Sequence, residues 1–485
     1  MALCKEESIL QNVKEKLLAL DCPFTWEIVD AVIKHKIMRP NTDDDEIDDS
    51  GPLEHFIICL LNCYKAVLSA DDDSAKASIE NAEQFLMVIQ QQKNLNQIIR
   101  AIEHVFYATK CFYLFETHYM EDTTALTILE ILENITDIKD MNSVELGGLY
   151  GCGSVTWSCF NDYGMEKAID LGKRAVEKNE DCALWHFILA KNLRRKRRSV
   201  NLSDEVSYME KTHFEIAYAM TKNHVFGIYY LQMRLESFYK FSRDRNYKEK
   251  KSNNEKQVLE LAVEMFKTNP TSYKVLLKLA RIFTTVEVED YRHYAIMCLN
   301  AVDKITPNNS TTFHYYAMIY RQSGDYREAI KYYKKAAERY NFVCELSYVE
   351  YGWEVGELEP LPHLLQMVKK YNNLIKEREI SLLLAIAITY YSLQKDIPAA
   401  GKYFLRALEI DPQHKKFKIY YRFLDFSTQS LSSFFEKELC PHLLQKKCDE
   451  TCNKIKDLLN PELNRLTKEL DLLTVCSSTN TSDTN

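Results

Sequence analysis

Apolar positions recur at helical spacing almost from end to end of the chain, and no convincing alternating strand pattern interrupts them. The clearest stretch is FHYYAMIYRQSGDYREAIKYYKKAAERY (313–340), which predicts two amphipathic helices joined at Ser323-Gly324-Asp325. Ala317, Ala329 and Ala336 are small enough for the pair to approach closely, with Phe313, Tyr316, Tyr320, Tyr326 and Tyr333 filling the space between. The same order of large and small returns at Ala400, Phe404, Ala407 and Pro412, at Ala168 and Ala175 after TWSCFNDYGME, and at Ala75, Ile79 and Ala82. A weaker copy lies at Ala295, Leu299 and Pro307.

This is the tetratricopeptide pattern, whose period is about 34 residues, and helix pairs of this kind stack into a superhelix with a concave groove. The expected fold is therefore all-α: a tetratricopeptide solenoid with a concave, basic groove. Three polar stretches interrupt it: an acidic loop at 38–51, a charged loop at 242–256 without an apolar face, and a tail at 477–485 with the composition of disorder. The organisation that follows is capping helices and acidic loop over 1–54, a first repeat block over 55–241, the charged loop 242–256, a second block over 257–445, C-terminal helices over 446–476 and the tail.

Composition agrees with helices. Only 12 of 485 residues are glycine, well below the usual share of roughly 7%. Phosphate-cradling loops and nucleophile elbows need glycine at fixed places, and no such motif, His-Glu-x-x-His or paired-cysteine finger is found. No catalytic residue, cofactor or metal ligand is assigned. CPHLLQKKCDETC (440–452) is the nearest approach to a zinc site, yet unlinked thiols on helices explain it as well. No run of about 20 apolar residues occurs, so no membrane span is expected, and the 14 cysteines read as reduced thiols of a cytoplasmic protein.

The net charge is −8, yet KNLRRKRRSV (191–200) carries five consecutive cations from Arg194 to Arg198. On a helix, His186, Leu189, Ala190 and Leu193 form the packing stripe, while Lys191, Arg194, Arg195 and Arg198 gather on the opposite side. In a tetratricopeptide first helix that side faces the groove. The preceding repeat sends Trp157 and Phe160 the same way, with Tyr150 near its helix start. Rings that stack on bases beside guanidinium groups that pair with phosphate suit a nucleotide. A later repeat offers His314, Arg321 and Gln322, and Lys278 and Arg281 precede it. A solvated helix end, a nuclear-import address and an anion site all remain readings of the run.

LLALDCPFTWEIVD (17–30), with Cys22, Phe24, Thr25 and Trp26, resembles the opening of the interferon-induced proteins with tetratricopeptide repeats. LLNCYKAVLSADDDSAKASIENAEQF (60–85) and AIDLGKRAVEKNEDCALWHFILAKNLRR are similar to that family's repeats. The resemblance implies a non-enzymatic, cytoplasmic innate-immune protein. Its ligand would be single-stranded RNA with a 5′-triphosphate or cap, held in the groove so that translation of foreign RNA is blocked. Arg195 matches the family's contact to the 5′ phosphates and His314 its groove histidine. Val155 stands at the position of the family's tunnel tryptophan, with Trp157 two residues on, and Cys159, Met165 and Tyr315 also depart. Other tetratricopeptide proteins or translation factors are the protein partners to expect, with no membrane and no DNA. The rival class is a scaffold whose basic groove grips acidic peptides or partner proteins, as a chaperone or assembly adaptor.

Overall fold

Every alanine frame read from the sequence marks a buried helix contact. In the computed structural model, which describes residues 11–35, 37, 51–118, 124–200, 204–238, 246–286, 288–372 and 374–459, Ala75, Ala82, Ala168, Ala175, Ala295, Ala336 and Ala407 are fully buried. Ala329 and Ala400 are 1% exposed. Without side chains beyond Cβ, these residues let paired helices meet, and larger neighbours fill the flanks.

The chain divides into two compact units, residues 1–305 and 306–485. The division falls inside the block expected to run from 257 to 445. In the first unit the helices pair in sequence order: Pro52–Leu68 with Asp72–Gln90, Ser143–Ser158 with Asn161–Lys178, Ala183–Val200 with Tyr208–Thr221, and Tyr273–Thr285 with Arg292–Ile305. In the second, Ser310–Gln322 pairs with Tyr326–Ala337 and Lys376–Thr389 with Ile397–Ile410. The fold is thus an all-α tetratricopeptide solenoid.

The 310–337 hairpin shows how the sequence writes one repeat. Asn309 caps the first helix by accepting from Thr311 N and Thr312 N. Gly324, at φ 77°, makes the left-handed turn that a Cβ would strain. Asp325 then caps the second helix through Glu328 N. Tyr316 and Tyr333 are buried between and beside the helices, and Tyr332 stacks on Tyr320 at 5.4 Å. Tyr326 is 47% exposed, so it does not fill the interface as its spacing suggested; it is the first residue of its helix, ahead of the packed turns.

Three expectations are corrected. The charged stretch 242–256 is no loop over its described part: a helix runs Tyr247–Lys267. Lys and Glu are good helix formers, and Lys251–Glu255 and Lys256–Glu260 are spaced i,i+4 along it. The Phe-Thr-Trp segment is a turn rather than a helix, though both rings pack against the first core. Phe24 stacks on Phe112 at 5.0 Å, and the Trp26 indole N–H donates to the Asp21 carboxylate. A two-stranded hairpin, Tyr421–Phe423 with Phe426–Thr428, interrupts the helices of the second unit; its strands are too short to leave an alternating signature. Of the acidic loop only Gly51 is described, and the polar tail lies outside the described residues.

The scarce glycines are concentrated where helices come closest. Ser143–Ser158 contains Gly147, Gly148, Gly151 and Gly153. A Cβ on Gly151 would lie 2.4 Å from the Trp185 ring, so the glycine lets the basic helix seat its indole against this one.

Candidate nucleic-acid interface

The basic run ends the helix Ala183–Val200. His186, Leu189 and Ala190 are buried and Leu193 half-buried, as the packing stripe requires. The opposite side, however, is not open. Lys191 and Arg194 are buried too, because Pro52–Leu68 and His224–Glu236 bring Glu54 and Glu236 against them.

Those carboxylates take up most of the positive charge. Lys191 Nζ lies 2.6 Å from Glu54 Oε1, with both side chains under 10% exposed. Arg194 donates to both Glu236 oxygens, at 2.6 and 3.3 Å, while its guanidinium lies over the Tyr229 ring. Arg197 donates to both oxygens of Glu210, at 2.9 and 3.0 Å, and bridges to Glu236. Burial pushes the Glu236 carboxyl up, but Arg194, Arg197 and Arg198 outweigh it and hold it at about 2. Burial dominates at Glu210 and raises it. Three buried cations therefore face three buried carboxylates.

This corrects the expectation of four cations open to a ligand. Lys191 and Arg194 are structural ion pairs. Arg197, which by spacing points away from the stripe, is the centre of the network. Sequence spacing missed this because Glu54 and Glu236 lie 137 and 42 residues from the cations they meet.

Arg195 is placed differently. Half-buried, it donates from Nη1 to Ser158 O at 3.0 Å and from Nη2 to Asn161 Oδ1 at 3.1 Å. Ser158 is the last residue of its helix, where partly negative carbonyls favour a cation. Among the described residues no carboxylate pairs with Arg195, and only two of its N–H groups are seen to be engaged. Lys196 lies at the surface beside Glu166, at 2.5 Å, and Arg198 is half-buried.

Trp157 immediately precedes Ser158 and is half-buried, with Tyr163 6.5 Å from it. Tyr163 is 51% exposed and stacks on His35 at 4.3 Å. Tyr163 and His35 were missed by the sequence reading, although Tyr163 stands within the quoted repeat segment. Phe160, 2% exposed, belongs to the core and lines nothing. Tyr150 is covered by Arg174, whose guanidinium lies 4.0 Å from the ring centre. Trp157, Tyr163 and His35 thus form a partly exposed run of rings, and Arg195 is anchored on Ser158 and Asn161, in the segment between Trp157 and Tyr163.

The remaining candidates are separate. Lys278 is buried and Arg281 half-buried on Tyr273–Thr285. In the second unit, His314 lies near Tyr315 and Tyr333, and Arg321 Nη1 donates to Tyr351 Oη at 3.3 Å. Gln322 is half-buried at the end of that helix. In the cysteine segment, Cys452 is fully buried and burial pushes its thiol up to about 12. Among the described residues no cluster of His, Cys, Asp or Glu has the form of a metal site, and no helix is long and apolar enough to cross a membrane.

Residues 310–341 match the tetratricopeptide repeat family model. No curated protein matches the sequence. Among solved structures, the chain is similar to the human IFIT1 dimer with m7Gppp-AAAA: 15% identity, 95% of this chain and 99% of that one covered, TM-score 0.52. It is equally similar to the human IFIT1 dimer with PPP-AAAA, at 16% identity, the same coverage and a TM-score of 0.51. The resemblance carried by the Phe-Thr-Trp opening and the alanine frames therefore holds at the level of the fold, along nearly the whole chain.

Proposed function

We infer that this protein is a non-enzymatic, cytoplasmic RNA-binding effector of innate antiviral defence, which holds the 5′ end of foreign single-stranded RNA and blocks its translation. The observation that carries the reading is the Arg195 guanidinium, anchored on Ser158 O and Asn161 Oδ1 and paired with no carboxylate among the described residues, on the helix end next to Trp157. The reading draws further support from the shared fold, since the similar human structures contain m7Gppp-AAAA and PPP-AAAA. Arg195 contacts the 5′ phosphates, and Trp157 with Tyr163 supplies ring faces for the neighbouring nucleotide. Arg198 and Lys196 add positive potential at the same helix end. Lys191 and Arg194 hold the helix in place and do not touch phosphate.

Titration of labelled 5′-triphosphate, capped and 5′-hydroxyl RNAs of one sequence tests this. Arg195→Ala removes a charge-assisted contact and costs about 2 kcal/mol, roughly thirtyfold in affinity, for the RNAs carrying 5′ phosphates. Affinity falls with added salt. Weak binding equal across the three RNAs, and unchanged by Arg195→Ala, overturns the reading in favour of a scaffold for acidic peptides.

A further inference from the structure

In the second unit a short turn, Lys415–Phe417, is joined to the helix Lys376–Thr389 through Lys416. Lys415, Lys416 and Lys418 surround Phe417, which is fully buried and fixes the turn to the core. Ser432 Oγ donates to Phe417 O at 2.9 Å, and Lys416 N donates to His414 Nδ1 at 3.4 Å, so the backbone is held on both sides of Lys416. Lys415 and Lys418 are exposed, whereas Lys416 is half-buried.

Lys416 lacks the partner that Lys191 has. Lys191 meets a carboxylate at 2.6 Å, but Lys416 Nζ donates to a neutral oxygen, Ser381 Oγ. The Ser381 hydroxyl gives its own proton to Glu377 O at 2.5 Å, which turns a lone pair towards Lys416. Among the described residues no carboxylate lies within ion-pairing distance of Nζ. The charged groups that act on it are Glu377, exposed on the helix, and Lys415, exposed on its own turn. His414, held down by burial and by Lys416, brings no positive charge at neutral pH. Burial disfavours the Lys416 ammonium most; Glu377 opposes this, Lys415 adds to it, and the amine is held below its ordinary range.

We propose that Lys416 is a nucleophilic amine at which the chain is acylated by small thioesters. A half-buried lysine without a counter-ion is the usual setting for such chemistry. The bond to Ser381 needs only one N–H, so it persists when Nζ is neutral and leaves the nitrogen lone pair free to attack. Nζ adds to the thioester carbonyl carbon, the C–N bond forms as the C–S bond breaks, and the thiolate leaves with the proton lost from nitrogen. The products are an amide and a free thiol. The amide keeps an N–H for Ser381 and no ion pair is broken, so the fold accepts the modification. The site is independent of the RNA reading and stands or falls separately.

The test treats the full chain with S-acetyl-N-acetylcysteamine, a neutral thioester that surface charge does not attract, and follows each lysine by quantitative peptide mass spectrometry. An ordinary lysine is only about 0.1% neutral near pH 7.4. Lys416 is therefore acetylated at least about fivefold faster than Lys415 or Lys418, although both are more exposed. The ratio falls towards one as the pH is raised to about 10.5, where the flanking amines are neutral too. Glu377→Gln removes the carboxylate that favours the charged form and speeds Lys416 about twofold or more, at an unchanged melting temperature because Glu377 is exposed. Acetylation of Lys416 no faster than that of its neighbours, a ratio that does not change with pH, or a rate that Glu377→Gln leaves unaltered each overturns the proposal.

Discussion

Removing the Arg197 guanidinium strands one buried carboxylate, Glu210, and weakens the pairing of a second, Glu236. Glu210 is 1% exposed, and Arg197 bonds to both of its oxygens. Glu236, 7% exposed, loses one of its two arginine partners. Breaking a buried ion pair from one side typically costs about 3–5 kcal/mol, because the remaining charge keeps its desolvation penalty. Arg197→Ala should destabilise the protein by that amount, read from urea denaturation of the full chain at neutral pH. Lys196→Ala is the internal control: its partner Glu166 is exposed, and such surface pairs are worth about 1 kcal/mol or less. Adding Glu210→Gln to Arg197→Ala should recover at least about 1 kcal/mol, since the stranded charge is gone. The acid limb provides a second check. The Glu236 carboxyl is held at about 2, below its ordinary 4.5, so its stabilisation is complete above pH 4.5 and is lost as pH falls towards 2. That shift corresponds to about 3 kcal/mol, and Arg197→Ala should shrink the loss. If Arg197→Ala costs no more than Lys196→Ala, the network is not buried as described and the basic run is a solvated helix end.

Gly151→Ala drives a Cβ to 2.4 Å from the Trp185 ring and should cost about 1–3 kcal/mol by overpacking; an unchanged melting temperature refutes the close approach. His186 and His213 share an Nδ1–Nδ1 contact of 2.8 Å. His186 Nε2 donates to Glu180 O, so in the neutral pair Nδ1 of His186 accepts from His213. Burial, then the neighbouring His186, hold His213 down at about 4. Its folded value lies below the unfolded one, so stability is lost as pH falls from about 6.5 to 4, and His213→Phe should flatten that part of the pH–stability curve.

How far the sequence could be read differs between the scaffold and the site. Ala168, Ala175, Ala329 and Ala400 announce helix contacts because the alternation of large and small along one helix is itself the packing rule. Asp325 and Gly324 announce a turn because capping and left-handed φ are local requirements. The run from Arg194 to Arg198 is as conspicuous in the sequence, but its meaning depends on partners. Spacing placed Lys191 and Arg194 on one side of a helix. It did not say that Glu54 and Glu236 would close over that side and leave Arg195 with a helix end and no carboxylate. Nor did any local signal mark Lys416, whose hydroxyl partner Ser381 stands 35 residues away on another element.

The sequence by itself determined the all-α repeat architecture, the helix pairs and their turns, since these depend on residues within one repeat of each other. Only the tertiary structure decided which cations are neutralised and which aromatic rings stay exposed. Ion pairing and burial arise between segments tens to more than a hundred residues apart, and helical periodicity says nothing about which of those segments meet.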